Sequence, residues 1–411
     1  MTSSRNIVVI GGGPAGVFAA IEAKRRDPQA NVTLISEEPS EPYERPPLSK
    51  AVLLGKAMAS DAPIAGPKGI AGHGVTLVLH TRCTAIDRTA REIVTASGQR
   101  FPYTALVIAT GSVVRQIPAL PLGGQRIHYL RTEGHASALG RELKAAQHLA
   151  VVGGGLIGLE VAASASELGI KVTVIEIAPR ILARVCDENT SAVLHDAHRR
   201  HGVDIRLDTA VTGVQNASDG RIVLETRADE TITADLVVVG TGATPDDRLA
   251  AAAGLATDNG VLVDVHCATS DPQIFAAGDV VRFPGPHGLI RREDWRHAQD
   301  QGAIAGRNAA GARDEYRSTP SFWSEQFDLY IQGVGSPPLR PDQRARRHGA
   351  GAYWITFDLT GPHIAYAVGI NAQRDIATTR RLIERQIVID PAALADPTKP
   401  LSDMLRPKQA S

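Results

Sequence analysis

The stretch IVVIGGGPAGVFAAIEAKRRDPQANVTLISEEP, residues 7–39, decides the fold. It opens on β-branched residues, turns through Gly11-x-Gly13-x-x-Gly16, continues with apolar residues at helical spacing, and returns to a β-branched run beside an acid. That succession is the strand-turn-helix-strand of a nucleotide-binding unit. Gly11 permits the tight turn, Gly13 lets backbone approach a pyrophosphate, and Gly16 lets the helix pack on the strand. The open N–H groups at the start of the helix complete an anion site.

The unit occurs twice. LAVVGGGLIGLEVAASASELGIKVTVIEIAP, residues 149–179, repeats it with Gly153, Gly155 and Gly158. One glycine loop is weak evidence, whereas two in full context predict an α/β chain with two Rossmann-like dinucleotide-binding domains. The acids differ between the copies. Glu176 ends VTVIE, while the aligned first-copy position is Ser36, with Glu37 next. A carboxylate there bonds the 2′-hydroxyl of an adenosine ribose and repels a 2′-phosphate, and no arginine directly follows Glu176. The second site is therefore expected to prefer NADH over NADPH.

A chain of 411 residues has room for two or three domains and a substantial core. Lys plus Arg and Asp plus Glu balance at 44 each, so no overall field draws the chain to nucleic acid or an anionic membrane. Small molecules or local patches are the expected partners. The uncharged opening from Asn6 to Ile21 is broken by three consecutive glycines and a proline and is too short for a membrane span, which points to a folded, cytoplasmic protein. Cys83, Cys186 and Cys267 lie far apart without a CxxC or metal-ligand spacing, so neither a disulfide framework nor a metal site is expected. Reduced core thiols are the plain reading.

Four strings extend the pattern: ALVIATG at 105–111, with Thr110 and Gly111; DLVVVGTGATPD at 235–246, with Gly242; QIFAAGDVV at 273–281, with Gly278 and Asp279; and YLRT at 129–132, with Arg131. In order and spacing the chain resembles the two-dinucleotide, glutathione-reductase-like flavoprotein reductases. The resemblance implies FAD on the first unit, NAD(P)H on the second, and Asp279 on the ribityl chain of FAD. Three further strings, PYERPPLSK at 42–50, RREDWRHAQDQG at 291–302 and SFWSEQFDLYIQG at 321–333, are more specific. They resemble the FAD-dependent NAD(P)H:ferredoxin reductases of oxygenase systems, the type of putidaredoxin reductase and the aromatic-ring dioxygenase reductases, over nearly the whole chain.

The prolines of RPPLSK fix φ and restrict the residue before each, so Lys50 is expected on a rigid arm. By resemblance Lys50 lies at the reactive edge of the flavin with Glu160 near the nicotinamide, and these two are the implied catalytic residues. An ammonium there stabilises negative charge on reduced flavin, and a carboxylate in reach orients it. The resemblance places Arg45, Arg131, Glu293, Trp295 and Trp323 among the cofactor-binding residues, with Gln299 in the same element. Guanidinium groups suit pyrophosphate pairing or stacking, whereas surface ion pairs and core packing are the plain alternatives for the arginines and tryptophans.

No cysteine falls in 36–56, where related disulfide reductases carry their reactive thiols. Electrons should then leave the flavin directly for an outside acceptor, and the resemblance implies that this is a [2Fe-2S] ferredoxin taking them one at a time. The implied domains are 1–113 with 245–321 for FAD, 114–244 for NADH, and 322–411 as a C-terminal α+β interface domain, as a monomer or homodimer. The cluster LRPDQRARRH at 339–348, with Arg340, Arg344, Arg346 and Arg347 against the single acid Asp342, offers an acidic ferredoxin a docking patch. GKAMASDAPIAGPKGIAGHG at 55–74 departs from the family pattern and reads as a flexible or remodelled loop. An NADH oxidase or quinone reductase, a redox-responsive binding protein like apoptosis-inducing factor, and a subunit of a larger dehydrogenase are the rival readings.

NADH is expected to give a higher kcat/KM than NADPH in steady-state assays of one preparation; equal values would contradict the reading of Glu176.

Overall fold

A computed structural model describes residues 5–285, 288–349 and 351–405. The chain forms two compact units. The first is drawn from Met1–Pro46, Ala57–Val113 and Ala243–Ser318, and the second from Pro47–Lys56, Val114–Gly242 and Thr319–Ser411.

In the first unit the β-branched runs become a five-stranded parallel sheet in the order Ile274–Ala276, Ala105–Ile108, Asn6–Ile10, Asn31–Ile35, Thr76–Val78. The central strands read as continuous apolar runs because both faces are covered, one by helices and the other chiefly by Ile86 and Ile93 of an antiparallel meander with Val261, Val281 and Phe283. The glycine-loop helix, Pro14–Arg26, lies against Trp295–Ala309, and two glycines set that approach. A Cβ on Gly302 would stand 2.2 Å from the Ala15 carbonyl oxygen, and one on Gly306 would stand 2.0 Å from that of Ala19. Either substitution would force the helices apart. Residues 57–74 are built into this unit rather than hanging as a loose loop: Ile64 and Ile70 are buried, and the Ile70 N–H donates to the Glu41 carboxylate at 2.7 Å. Composition had concealed those two anchors.

The second unit repeats the plan. Its parallel sheet runs Asp204–Arg206, Lys171–Ile175, His148–Val152, Leu236–Val239, Ile127–Tyr129. In both sheets the glycine-loop strand is central, and the link from the third strand to the ATG or GTG strand is a three-stranded antiparallel meander, Cys83–Pro102 in one and Val211–Ala234 in the other. Only the outer strand has a different source: it comes last in the chain for the first sheet and first for the second.

The second unit also carries a five-stranded antiparallel sheet, ordered Ser321–Gln326, Leu329–Gly335, His363–Ile370, Trp354–Thr360, Gln343–His348, with the helix Gln373–Glu384 packed on it. Parallel Rossmann-type sheets and a C-terminal antiparallel α+β portion thus match the expected fold class.

This sheet changes the meaning of the basic cluster. On Gln343–His348 the side chains alternate, so Ala345 and Arg347 are buried while Arg344 and Arg346 face outward. Arg347 donates to the carbonyl oxygens of Leu394 at 2.8 Å and Ala393 at 3.1 Å, holding the Pro391–Ala395 helix. Arg344 pairs with Asp358 at 2.6 Å, and Arg346 reaches the Asn189 amide oxygen at 2.6 Å once that amide is correctly oriented. Arg340 is exposed.

Arg347→Met keeps the aliphatic stem but strands one buried and one part-buried carbonyl, and should cost about 3 kcal/mol in urea unfolding, whereas Arg340→Met should stay within about 0.5 kcal/mol of wild type.

Candidate active site

Two dinucleotide cradles form at the carboxyl ends of the parallel sheets, where strand order reverses. In the first, Gly11 has φ +115°, and a Cβ there would meet the Ala109 carbonyl oxygen at 2.1 Å. A Cβ on Gly16 would stand 1.8 Å from the Gly11 carbonyl oxygen. Gly13 differs, because apart from its chain neighbours no described residue lies within 4 Å of its Cβ position. Internal packing explains Gly11 and Gly16, while open space at Gly13 fits a ligand's approach. The second cradle shows the same division: Gly153 and Gly158 are blocked at 2.5 Å and 2.1 Å, whereas the nearest atom to a Cβ on Gly155 is 4.0 Å away. Gly13 and Gly155 start the helices Pro14–Arg26 and Leu156–Glu167 without a side-chain cap or an acid in the first turn. The leading N–H groups are thus arranged for diphosphate.

The acids sit as the alignment required. The Glu176 carboxylate accepts from the N–H of Gly154 at 2.6 Å and of Ala178 at 2.8 Å, which fixes it at the rim of the second cradle with lone pairs left for a ribose. In the first cradle Ser36 takes the corresponding buried position against Gly12, and Glu37 is exposed, 3.8 Å from Arg82.

Around the first cradle, the Thr110 hydroxyl donates to the Asp246 carbonyl at 2.7 Å and the Asp246 N–H donates to the Gly111 carbonyl at 2.9 Å, so the ATG and GATPD turns interlock. Gly278, with φ +84°, donates its N–H to the buried Gln301 side chain at 2.9 Å, and the next residue, Asp279, accepts from the Ser112 hydroxyl at 2.9 Å. Arg45 pairs with Glu38 at 2.8 Å and lies over the Tyr43 ring at 5.9 Å. Asp294 caps the helix that begins with Trp295 by accepting from the His297 N–H at 2.7 Å; burial pushes its carboxyl up to about 6. Burial also raises the Glu44 carboxyl, against a hydrogen bond from Trp295. Glu293 pairs with Arg291 at 2.6 Å. Gln299 is part-buried on the same helix.

In the second unit the arm behaves as its prolines predict. Pro46–Ser49 is a short 3-10 turn, and the N–H of Lys50 donates back to the Pro47 carbonyl at 3.1 Å while Leu48 is buried. Lys50 Nζ stands 3.0 Å from Glu160 Oε2. Glu160 is buried in the middle of its helix, and it accepts further hydrogen bonds from the hydroxyls of Ser49, on Oε2, and Ser324, on Oε1 at 2.7 Å. The sequence reading missed both serines, although each sits inside a quoted string. Arg131, at the end of the Ile127–Tyr129 strand, and Trp323 are part-buried in this unit, and Gly242, with φ +104°, closes the GTG turn.

All three cysteines are free thiols. Burial raises each of them, Cys83 and Cys186 to about 12, so none is a thiolate at neutral pH. Among the described residues no cluster of three or more His, Cys, Asp or Glu could hold a metal ion, and no helix is long and apolar enough to cross a membrane.

Residues 5–302 match the pyridine nucleotide-disulphide oxidoreductase family, and residues 321–405 match the reductase C-terminal family. The chain is 38% identical to the ferredoxin–NAD(+) reductase component of the anthranilate 1,2-dioxygenase system of Burkholderia cepacia, across 98% of this chain and 100% of that protein. It belongs to the ferredoxin reductases of oxygenase systems. Within that family, the covalent putidaredoxin reductase–putidaredoxin complex has a reductase-like chain that superposes with TM-score 0.91 at 32% identity, covering 98% of each chain. The ferredoxin reductase for the CYP199A2 system of Rhodopseudomonas palustris gives 0.92 at 31% identity, covering 97% of this chain and 99% of that one. The family carries "disulphide" in its broad name, yet this member's thiols are buried or raised far from reactivity.

The two kinds of glycine predict opposite phenotypes. Gly158→Ala should fail to give soluble protein or melt far below wild type, whereas Gly155→Ala should fold normally and raise the KM for NADH at least several-fold.

Proposed function

We propose that the chain is an FAD-dependent NADH:ferredoxin reductase that oxidises NADH and delivers single electrons to a [2Fe-2S] ferredoxin serving an oxygenase. The similarity to a named ferredoxin–NAD(+) reductase component over essentially both full chains carries this reading. The absence of a reactive thiol agrees with it, since electrons then have no covalent relay and must pass straight from the bound carrier to an outside acceptor. Bound FAD supplies a carrier that takes two electrons together and releases them singly.

In this reading 1–113 and 245–321 hold FAD, 114–244 hold NADH, and 322–411 form the interface domain. The Gly11, Gly13 and Gly16 loop binds the FAD pyrophosphate, with Glu37, Arg45, Thr110, Gly111, Gly278, Asp279, Glu293 and Trp295 contributing from the same unit. The Gly153, Gly155 and Gly158 loop binds NADH, with Glu176 on its ribose and Gly242 in the facing turn. Lys50 presents its ammonium where negative charge accumulates on reduction, Glu160 orients that ammonium, and Arg131 and Trp323 complete the flavin surroundings. Placement is the protein's main contribution, because holding two reacting rings in line can supply on the order of 7–11 kcal/mol. The proposed place of action is the cytoplasm.

The test is anaerobic: reduce the holoprotein with NADH, then compare its reoxidation by an oxidised [2Fe-2S] ferredoxin and by dissolved oxygen. Rapid ferredoxin reduction with slow oxygen reaction is expected. If oxygen or a quinone is the faster acceptor and a panel of ferredoxins stays oxidised, the protein is an oxidase or quinone reductase instead.

A further inference from the structure

Glu160 is the inner end of a longer buried series. Ser324 Oγ, which donates to Glu160 Oε1 at 2.7 Å, itself receives a hydrogen bond from Gln326 Nε2 at 3.1 Å, and Gln326 Oε1 faces His198 Nε2 at 2.9 Å. Glu160, Ser324, Gln326 and His198 are all buried, and all belong to one compact unit. The polarity of the series follows from its carboxylate end. A carboxylate can only accept, so the Ser324 hydroxyl must give its single proton to Glu160. Ser324 must then accept from the NH₂ group of Gln326, which turns the amide oxygen toward His198. His198 must in turn carry its proton on Nε2. A neutral ring meets that demand, and burial lowers the His198 imidazole to about 4, so it stays neutral at working pH. Among the described residues its Nδ1 has no hydrogen-bond partner, as a neutral ring protonated on Nε2 allows.

The far end is anchored mechanically. Phe327, next to Gln326, holds φ +57°, a left-handed conformation that is costly for a bulky residue. Its ring stacks on His201 at 3.8 Å with the planes 7° apart and meets His198 edge-on at 5.0 Å. The helix Glu188–Arg200 and the residue after it therefore fix the turn that aims Gln326.

We infer that Ser324, Gln326 and His198 are positioning residues that act in series, through Ser324 alone, to fix the Glu160 carboxylate and hence the Lys50 ammonium for the reduction step. This rests on the proposed role of Lys50 and Glu160 toward FAD. Because each residue works only through the next, a break further out should do nothing once the inner link is gone. A residue that merely packs the core should keep its effect in either background.

The experiment is a double-mutant cycle on the FAD-loaded full chain, read by the limiting rate of flavin reduction under anaerobic NADH, the flavin midpoint potential and the melting temperature. Ser324→Ala is expected to slow reduction about tenfold and Gln326→Met about threefold, each with a negative shift in potential, since a less well-held ammonium stabilises reduced flavin less. In the Ser324→Ala background Gln326→Met should change neither rate nor potential, and Ser324→Thr, which keeps the hydroxyl, should restore both. If Gln326→Met gives no folded holoprotein, His198→Leu makes the same comparison one link further out. An undiminished Gln326 or His198 effect without Ser324, or a Ser324→Ala protein with wild-type rate and potential, would overturn the inference. A wild-type holoprotein that NADH does not reduce would instead overturn the proposed function.

Discussion

In each nucleotide unit the glycine loop leaves no spare room between the start of a helix and the turn that ends its own strand. Gly16 and Gly158 bring the first helical turn so near the preceding glycine carbonyl that even one methyl carbon has no room. That approach sets the tilt of each helix over its sheet, and the tilt directs the uncapped N–H groups beyond the strand ends. The other features of the two cradles, the interlocked ATG and GATPD turns and the Glu176 rim, are built around a loop whose path this contact dictates.

The second constraint is electrostatic. A carboxylate buried mid-helix is costly unless every oxygen is satisfied, and Glu160 meets that demand with two hydroxyls and an ammonium drawn from two separate parts of the chain. The arm carrying Lys50, the glycine-loop helix and the first strand of the antiparallel sheet are thereby tied through one side chain. Removing any donor would leave a buried charge underpaired, so this one group also enforces the local packing.

Much of this was legible in the sequence. The β-branched runs and glycine spacings give both parallel sheets because they are local patterns with a fixed period, and the rigidity of the Lys50 arm follows from two prolines. The flavin and the pairing of Lys50 with Glu160 came only by resemblance, since two positions 110 residues apart leave no periodic trace. Ser324, Gln326 and His198 were illegible for the same reason. Arg347 was readable and misread: composition grouped it with three neighbouring arginines, although strand alternation with Ala345 marked it as inward-facing. The 55–74 segment was judged by its glycines and prolines, while its two isoleucines held the answer.

The outer strand of the first sheet has a consequence for the order of assembly. Ile274 pairs with Leu106, 168 positions earlier, so this sheet cannot close until the ribosome has made the whole intervening segment, including the complete parallel sheet of the second unit. The inserted sheet needs nothing beyond Val239 to close, and it is available to fold while the first is still missing an edge. Long-range closure of this kind is slow, and until then the apolar strand Ala105–Ile108 has one edge unpaired during translation.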